Sequence, residues 1–244
     1  MHTYIQVSYK SFIILFGGSC PGDIFNDIWI IDCRDPKYTW FKGALTPLFS
    51  QAATSTATAT AMTTNLPHPR GGHSAVIVGT FMYIYGGNTI GTSFDDLWRI
   101  DLSCLDGCHV EHSMLGYYDL QEPLIFPCEE VHATGDSPPA GIGHMAQVVG
   151  NNILLYGGRN FFTRQFNPNV YIFDILSQRW RMLVDSVAQG IANRTGHVAF
   201  PCNSGVVFFG GATPHELSKS VIHLNLFRTS HLTYFICICN DKCR

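Results

Sequence analysis

The chain has 244 residues, 46% of them hydrophobic and only 14% charged, with a formal net charge of −3 at pH 7. That length suffices for one all-β domain with a large core, and the slight acidity excludes a non-specific grip on nucleic acid, which needs a basic surface. No window reaches eighteen consecutive apolar residues, so no membrane-spanning helix is expected.

In chain order, residues 12–16 form an apolar run that ends in Gly17-Gly18, followed by Asp27-Ile28-Trp29, Asp32 and Trp40. A low-complexity Ala/Thr segment, residues 44–66, reads as a surface loop. Next come Pro69-Arg70-Gly71-Gly72-His73, a strand at 74–78, a second at 81–85 closing on Gly86-Gly87, then Asp96-Leu97-Trp98 and Asp101. Residues 103–137 read as a second insertion. After it stand Gly143-His144, a strand at 145–149, a run at 152–156 ending in Gly157-Gly158, then Asn169-Val170-Tyr171, Asp174 and Trp180. The last unit has Arg194-Thr195-Gly196-His197, a strand at 198–200, the run 205–209, Gly210-Gly211, Ser220-Val221-Ile222 and Asn225. Residues 233–236 are a candidate closing strand.

These units share one register. Thirteen residues before the first Gly of each pair lies His73, His144 or His197, with Tyr4 in the first copy. Such a repeat sets the architecture before any single residue is interpreted. Apolar, β-branched and aromatic runs suit strands covered on both faces. The Gly-Gly pairs allow backbone angles and close approaches that a Cβ would forbid. An Asp or Asn after the third strand starts a turn.

The Arg-x-Gly-His lead-in, the Gly-Gly pair, the spaced aromatic and the terminal Trp resemble the kelch family of β-propellers over most of residues 4–226. The resemblance implies an all-β propeller of about four blades, each of four antiparallel strands. The blades fall near residues 4–43, 69–137, 138–190 and 192–238, with insertions at 44–66 and 103–137, in a single domain. The family commonly closes five to seven blades. With four units and abrupt ends, the chain is expected to be part of a larger ring. The second and fourth units show no Trp on their last strand.

Cys104, Cys108, His109 and His112, with Cys128 or His132, are residue types that bind tetrahedral zinc. Their spacing matches no zinc pattern, and Cys237, Cys239 and Cys243 are weaker still. No metal and no cofactor are assigned. Nine cysteines without a charged leader and cleavage site point to reduced thiols, so a cytoplasmic location is expected. The acceptor-like Asn193-Arg194-Thr195 overlaps the lead-in motif and is read as coincidence.

His73, His144 and His197 recur at one position, which points to a shared structural task, hydrogen bonding between neighbouring strands or blades, rather than catalysis. Trp29, Trp98 and Tyr171 are expected between blades, and Asp96 and Asp101 at turns. No carboxylate pair, phosphate loop or nucleophile elbow is present. A copper-oxidase-like enzyme on the same fold is the alternative. It would need Tyr, His and Cys ligands to converge, and no motif assembles them.

Binding is expected where the units differ, on the second-to-third-strand loops at 19–25, 88–94, 159–168 and 212–219. A rigid scaffold commonly displays recognition on such loops. Arg159, Phe161, Phe162 and Arg164 combine residue types enriched at interface hot spots. The expected function is a non-catalytic scaffold or adaptor with a protein partner, and neither nucleic acid nor membrane. The competing expectation for this loop is that its Phe side chains fold back over the blade.

Overall fold

The computed structural model describes residues 3–48, 65–106, 123–184, 193–203, 205–225, 227–228, 234–235 and 238–241. Apart from one short 3-10 turn at Ser103–Leu105, the regular elements are strands. The first blade is Thr3–Tyr9, Phe12–Cys20, Asp23–Asp32 and Trp40–Pro47, each antiparallel to the next. The second is Ser74–Val78, Phe81–Tyr85, Leu97–Asp101 and Leu124–Glu130. The third is Ile142–Val149, Asn152–Arg159, Val170–Asp174 and Arg179–Val184. The fourth is Val198–Cys202, Gly205–Phe209, Val221–Asn225 and Ile238–Asp241. First strands of successive blades lie side by side, so the blades follow one another around a common axis as in a β-propeller.

Two closing strands differ from the sequence expectation. Leu124–Glu130 completes the second blade from within the stretch read as an insertion. Phe126 and Cys128 take its buried positions, so the strand needs no Trp. It also pairs in parallel with Trp40–Pro47, fusing the outer edges of the first two blades into one eight-stranded sheet. Gly43 makes room for this, because the Phe126 ring occupies the space its Cβ would need. In the fourth blade the closing strand is Ile238–Asp241, whereas Tyr234–Phe235 pairs with Phe227–Arg228.

The core is laid down between blades. Side chains alternate across each strand, so every blade has two apolar faces. Ile14, Phe16, Ile28 and Ile30 meet Met82, Ile84, Trp98 and Ile100. The opposite face of the second blade, with Tyr83, Tyr85 and Leu97, meets Leu155, Tyr171, Phe173 and Trp180 of the third. Leu154, Tyr156 and Val170 meet Val206, Phe208, Ile222 and Leu224. Burying one such large side chain stabilises by roughly 2 kcal/mol.

Candidate interaction surface

The repeated glycines and histidines build the junctions between blades. The imidazole of His144 lies where a Cβ on Gly86 of the preceding blade would go, 2.7 Å from its Nε2. A Cβ on Gly157 would likewise stand 2.7 Å from Cε1 of His197, and one on Gly17 would stand 3.3 Å from Cε1 of His73. The second Gly of the first three pairs donates its N–H across the junction: Gly18 to the Arg70 carbonyl at 2.8 Å, Gly87 to Gly141 at 2.9 Å, Gly158 to Arg194 at 2.8 Å. A further chain of bonds runs from Gly196 to Gly143 at 2.8 Å and from Gly143 to Gly72 at 2.9 Å.

The inter-blade hydrogen bonds expected of the histidines are therefore carried mainly by backbone. His144 alone of the three joins blades through its ring, with Nδ1 against Ser74 Oγ. The ring nitrogens of His73 and His197 lack a well-aligned partner among the described residues. Phe16 and Arg70 turn backbone carbonyls toward the His73 ring without forming an aligned bond. Burial pushes His73 down to about 3, aided by the charge of Arg70. It pushes His144 down to about 4, and His197 to about 3, the latter aided by Arg194. All three rings are neutral at pH 7 and serve as packing.

One buried partner escaped the sequence reading. Arg70 is fully buried, and its Nη1 and Nη2 reach Oδ1 and Oδ2 of Asp96 at 2.6 and 2.8 Å. Nη1 also donates to the Gly86 carbonyl at 2.9 Å, and the guanidinium lies 4.4 Å from the centre of the Phe94 ring. Asp96 is thus an ion-pair partner rather than a turn residue, and it also accepts from Trp98 Nε1 at 2.7 Å. Asp101 does hold its turn, accepting from the Ser103 N–H at 2.8 Å. In the fourth blade Arg194 sits at the same repeat position and bonds the Gly210 carbonyl at 3.0 Å and Ser220 Oγ at 2.9 Å. The signal was in the register: sixteen residues before and ten after the first Gly, the pairs are Arg with Asp and Arg with Ser. Trp98 and Tyr171 pack between blades as expected, while Trp29 is half-buried and donates to Asp27 at 2.9 Å.

The third-blade loop is a built turn. Asn160 Oδ1 accepts from the N–H groups of Phe162 and Thr163 at 3.0 and 2.9 Å, and the Asn160 N–H donates to the Gln165 carbonyl at 2.8 Å. Phe161 and Phe162 stand 48% and 50% exposed, edge to face with ring centres 5.3 Å apart, rather than folded over the blade. Among the described residues, no carboxylate lies within ion-pair distance of Arg159 or Arg164. The four do not share one cavity. Phe161 lines a cleft of about 360 Å³ with Ile90 of the second-blade loop and Cys20 and Asp23 of the first. Arg159 lines a second cleft, of about 330 Å³, with Asn167 and Tyr171. Phe162 and Arg164 lie on the turn outside both.

The candidate zinc ligands divide. Cys108, His109 and His112 fall outside the described residues. Cys128 is buried, and burial pushes its thiol up to about 12, which disfavours a thiolate. Among the described residues, no three His, Cys, Asp or Glu side chains converge as a metal site. No helix among them is long and apolar enough to cross a membrane.

Residues 143–185 match the Kelch motif family model. Over 219 residues the chain is 25% identical to Multiple epidermal growth factor-like domains protein 8 of Rattus norvegicus, covering 86% of this chain and 7% of that protein. It is 26% identical over 216 residues to Tip elongation aberrant protein 1 of Schizosaccharomyces pombe, covering 86% and 15%. It is 27% identical over 143 residues to Kelch domain-containing protein 3 of Bos taurus, covering 57% and 34%. The chain therefore spans a minor part of each relative's length. The Kelch motif match falls on the third blade, whose Gly143-His144 and Gly157-Gly158 fill the same junction roles as their counterparts in the other blades, so the repeated units are similar to kelch repeats.

Proposed function

We propose that the chain is a non-catalytic protein-interaction scaffold that presents the third-blade loop to a protein partner. One observation carries this reading. Phe161 and Phe162 are held half-exposed on a hydrogen-bonded turn, flanked by two guanidinium groups without an ion-pair partner among the described residues. A preformed turn loses little entropy on binding, and exposed aromatics beside Arg are the usual anchors of an interface. Kelch repeats are generally modules of protein interaction, which agrees with this assignment. A cytoplasmic setting belongs to the same proposal and rests on the thiols of Cys20, Cys33, Cys128 and Cys202, which form no disulfide.

The test compares the parent chain with Arg159→Ala/Arg164→Ala and Phe161→Ala/Phe162→Ala. Partner affinity is expected to fall at least about tenfold with the thermal midpoint unchanged. A lowered midpoint with affinity retained would assign the loop to the scaffold.

A further inference from the structure

The groups that hold Arg70 in the second blade recur in the first, where Met1 takes the arginine's place in the register. In the second blade the guanidinium meets the Asp96 carboxylate, the Gly86 carbonyl and the Phe94 ring. Trp98 Nε1 steadies Asp96 from the side at 2.7 Å. Sixty-nine residues earlier the register gives Asp27, Gly17, Phe25 and Trp29. Trp29 Nε1 donates to Asp27 Oδ2 at 2.9 Å, repeating the Trp98–Asp96 bond. The match holds in space as well. The Phe25 carbonyl accepts from the Arg70 N–H at 2.9 Å and the Phe94 carbonyl from the Gly141 N–H at 3.3 Å, so the two residues occupy one place in successive seams.

In the other blades the acid goes with the arginine. The third has Gly141 and Asn169 at the two positions, and the fourth has Arg194 and Ser220. Of the four units, the first alone has the acid without the arginine. Its Gly17, Phe25, Asp27 and Trp29 line, with Leu15 and Trp40, a cleft of about 430 Å³. Ile14, Phe16, Ile28 and Ile30 face the second blade, so alternation along the strands turns Leu15 and Trp29 the other way. Trp40 is 45% exposed at the rim. Asp27 Oδ1 has no hydrogen-bond partner among the described residues, while Oδ2 is shared by Trp29 and the Lys42 ammonium at 3.3 Å. That ammonium also lies 5.6 Å from the centre of the Trp29 ring, so the cleft already draws a positive charge from its own edge. Lys42 is well exposed, and an exposed ion pair contributes at most about 1 kcal/mol.

We propose that this cleft binds an arginine side chain presented by a partner polypeptide. The incoming guanidinium donates to both oxygens of Asp27 and to the Gly17 carbonyl and lies against the Phe25 ring, as Arg70 does with Asp96, Gly86 and Phe94. A planar fork meets a carboxylate with two parallel bonds, which the single ammonium of Lys42 cannot do, so it displaces Lys42 from Asp27. Leu15 and Trp40 give apolar walls for its methylene groups. The site lies on the first blade and is separate from the third-blade loop.

The test titrates the ¹⁵N-labelled chain with a capped peptide copying residues 67–73, which carries Arg70, and with the same peptide bearing Arg70→Lys. The indole N–H signals of the four Trp residues are the readout. The arginine peptide should shift Trp29 and Trp40 saturably and leave Trp98 and Trp180 in place. The lysine peptide should bind at least about tenfold more weakly. Asp27→Asn should weaken the arginine peptide by at least about tenfold, and Lys42→Ala should tighten it by removing the competitor. The melting midpoint of Asp27→Asn reports on its fold. If it drops, Lys42→Ala decides, and unchanged or weaker binding by that variant would overturn the site. No shift of Trp29 up to the solubility limit of the peptide would overturn it, as would equal binding of the two peptides. A shift of Trp98 in place of Trp29 would show displacement of the chain's own Arg70 and overturn it too. Movement of the Trp29 signal when the protein alone is diluted would assign the cleft to a second copy and reject the partner arginine.

Discussion

Arg70 and Asp96 form a two-pronged ion pair, whereas Arg194, at the same repeat position, faces the hydroxyl of Ser220. The first guanidinium is neutralised where it is buried. The second relies on hydrogen bonds to carbonyls and a hydroxyl.

Asp96→Ala should therefore be costly. It leaves a fully buried guanidinium with the Gly86 and His68 carbonyls and no counter-charge. Breaking one side of such a pair costs about 3–5 kcal/mol. Ser220→Asp should act in the opposite direction by giving Arg194 a charged acceptor. Urea midpoints of the two variants, read at unchanged slope, check both signs.

Glycine substitutions should separate junction glycines from turn glycines. Gly86 (φ 65°) and Gly150 (φ 59°) both sit in the left-handed region, where an added Cβ costs about 1–2 kcal/mol. At Gly150 the Cβ meets open space, but at Gly86 it would strike the His144 ring. Gly86→Ala is expected to destabilise by at least about 2 kcal/mol more than Gly150→Ala, within the range of overpacked cores. Equal losses in thermal unfolding would show that His144 can withdraw freely.

The three histidines set a pH dependence. Their folded pKa values of about 3 to 4 lie below the unfolded value of 6.5. Below pH 6.5 the unfolded chain binds more protons than the folded one, so stability falls as pH drops and is fully present above 6.5. The loss continues down to the folded values. Between pH 6.5 and 5, each ring contributes roughly 2 kcal/mol of that loss, at 1.36 kcal/mol per unit. Urea unfolding at pH 7 and 5 measures it, and His73→Phe should flatten the slope by about one proton.

The loop variants give the remaining expectation. Phe161→Ala/Phe162→Ala should leave urea stability within about 0.5 kcal/mol of the parent, as for other exposed positions. A larger loss would show that the aromatic pair supports the blade.

Much of this architecture is legible in the sequence, because a junction needs the same residues each time it is made. Gly17, Gly86 and Gly157 must all lack a Cβ for the imidazole that follows, so Gly-Gly and Gly-His recur at a constant interval. The closing strands are less legible. Phe126 and Cys128 are held by a parallel partner, Trp40–Pro47, roughly eighty residues away, and local pattern does not encode such a partner. Arg70 was visible as a motif letter, but its burial depends on Asp96 across a hairpin. The exposure of Phe161 and Phe162 was equally out of reach, since their orientation is set by how Asn160 caps the turn.

The histidine sockets also bear on how the molecule comes apart. His73, His144 and His197 each belong to one blade by chain and to the blade before it by contact. Unfolding either the second or the third blade thus opens two seams at once. Strength resides in the seams, as expected of repeat arrays governed by nearest-neighbour coupling. Loss of structure should travel as a fraying front from seam to seam, with the seam between the third and fourth blades, whose core is the smallest of the three among the described residues, the first to part.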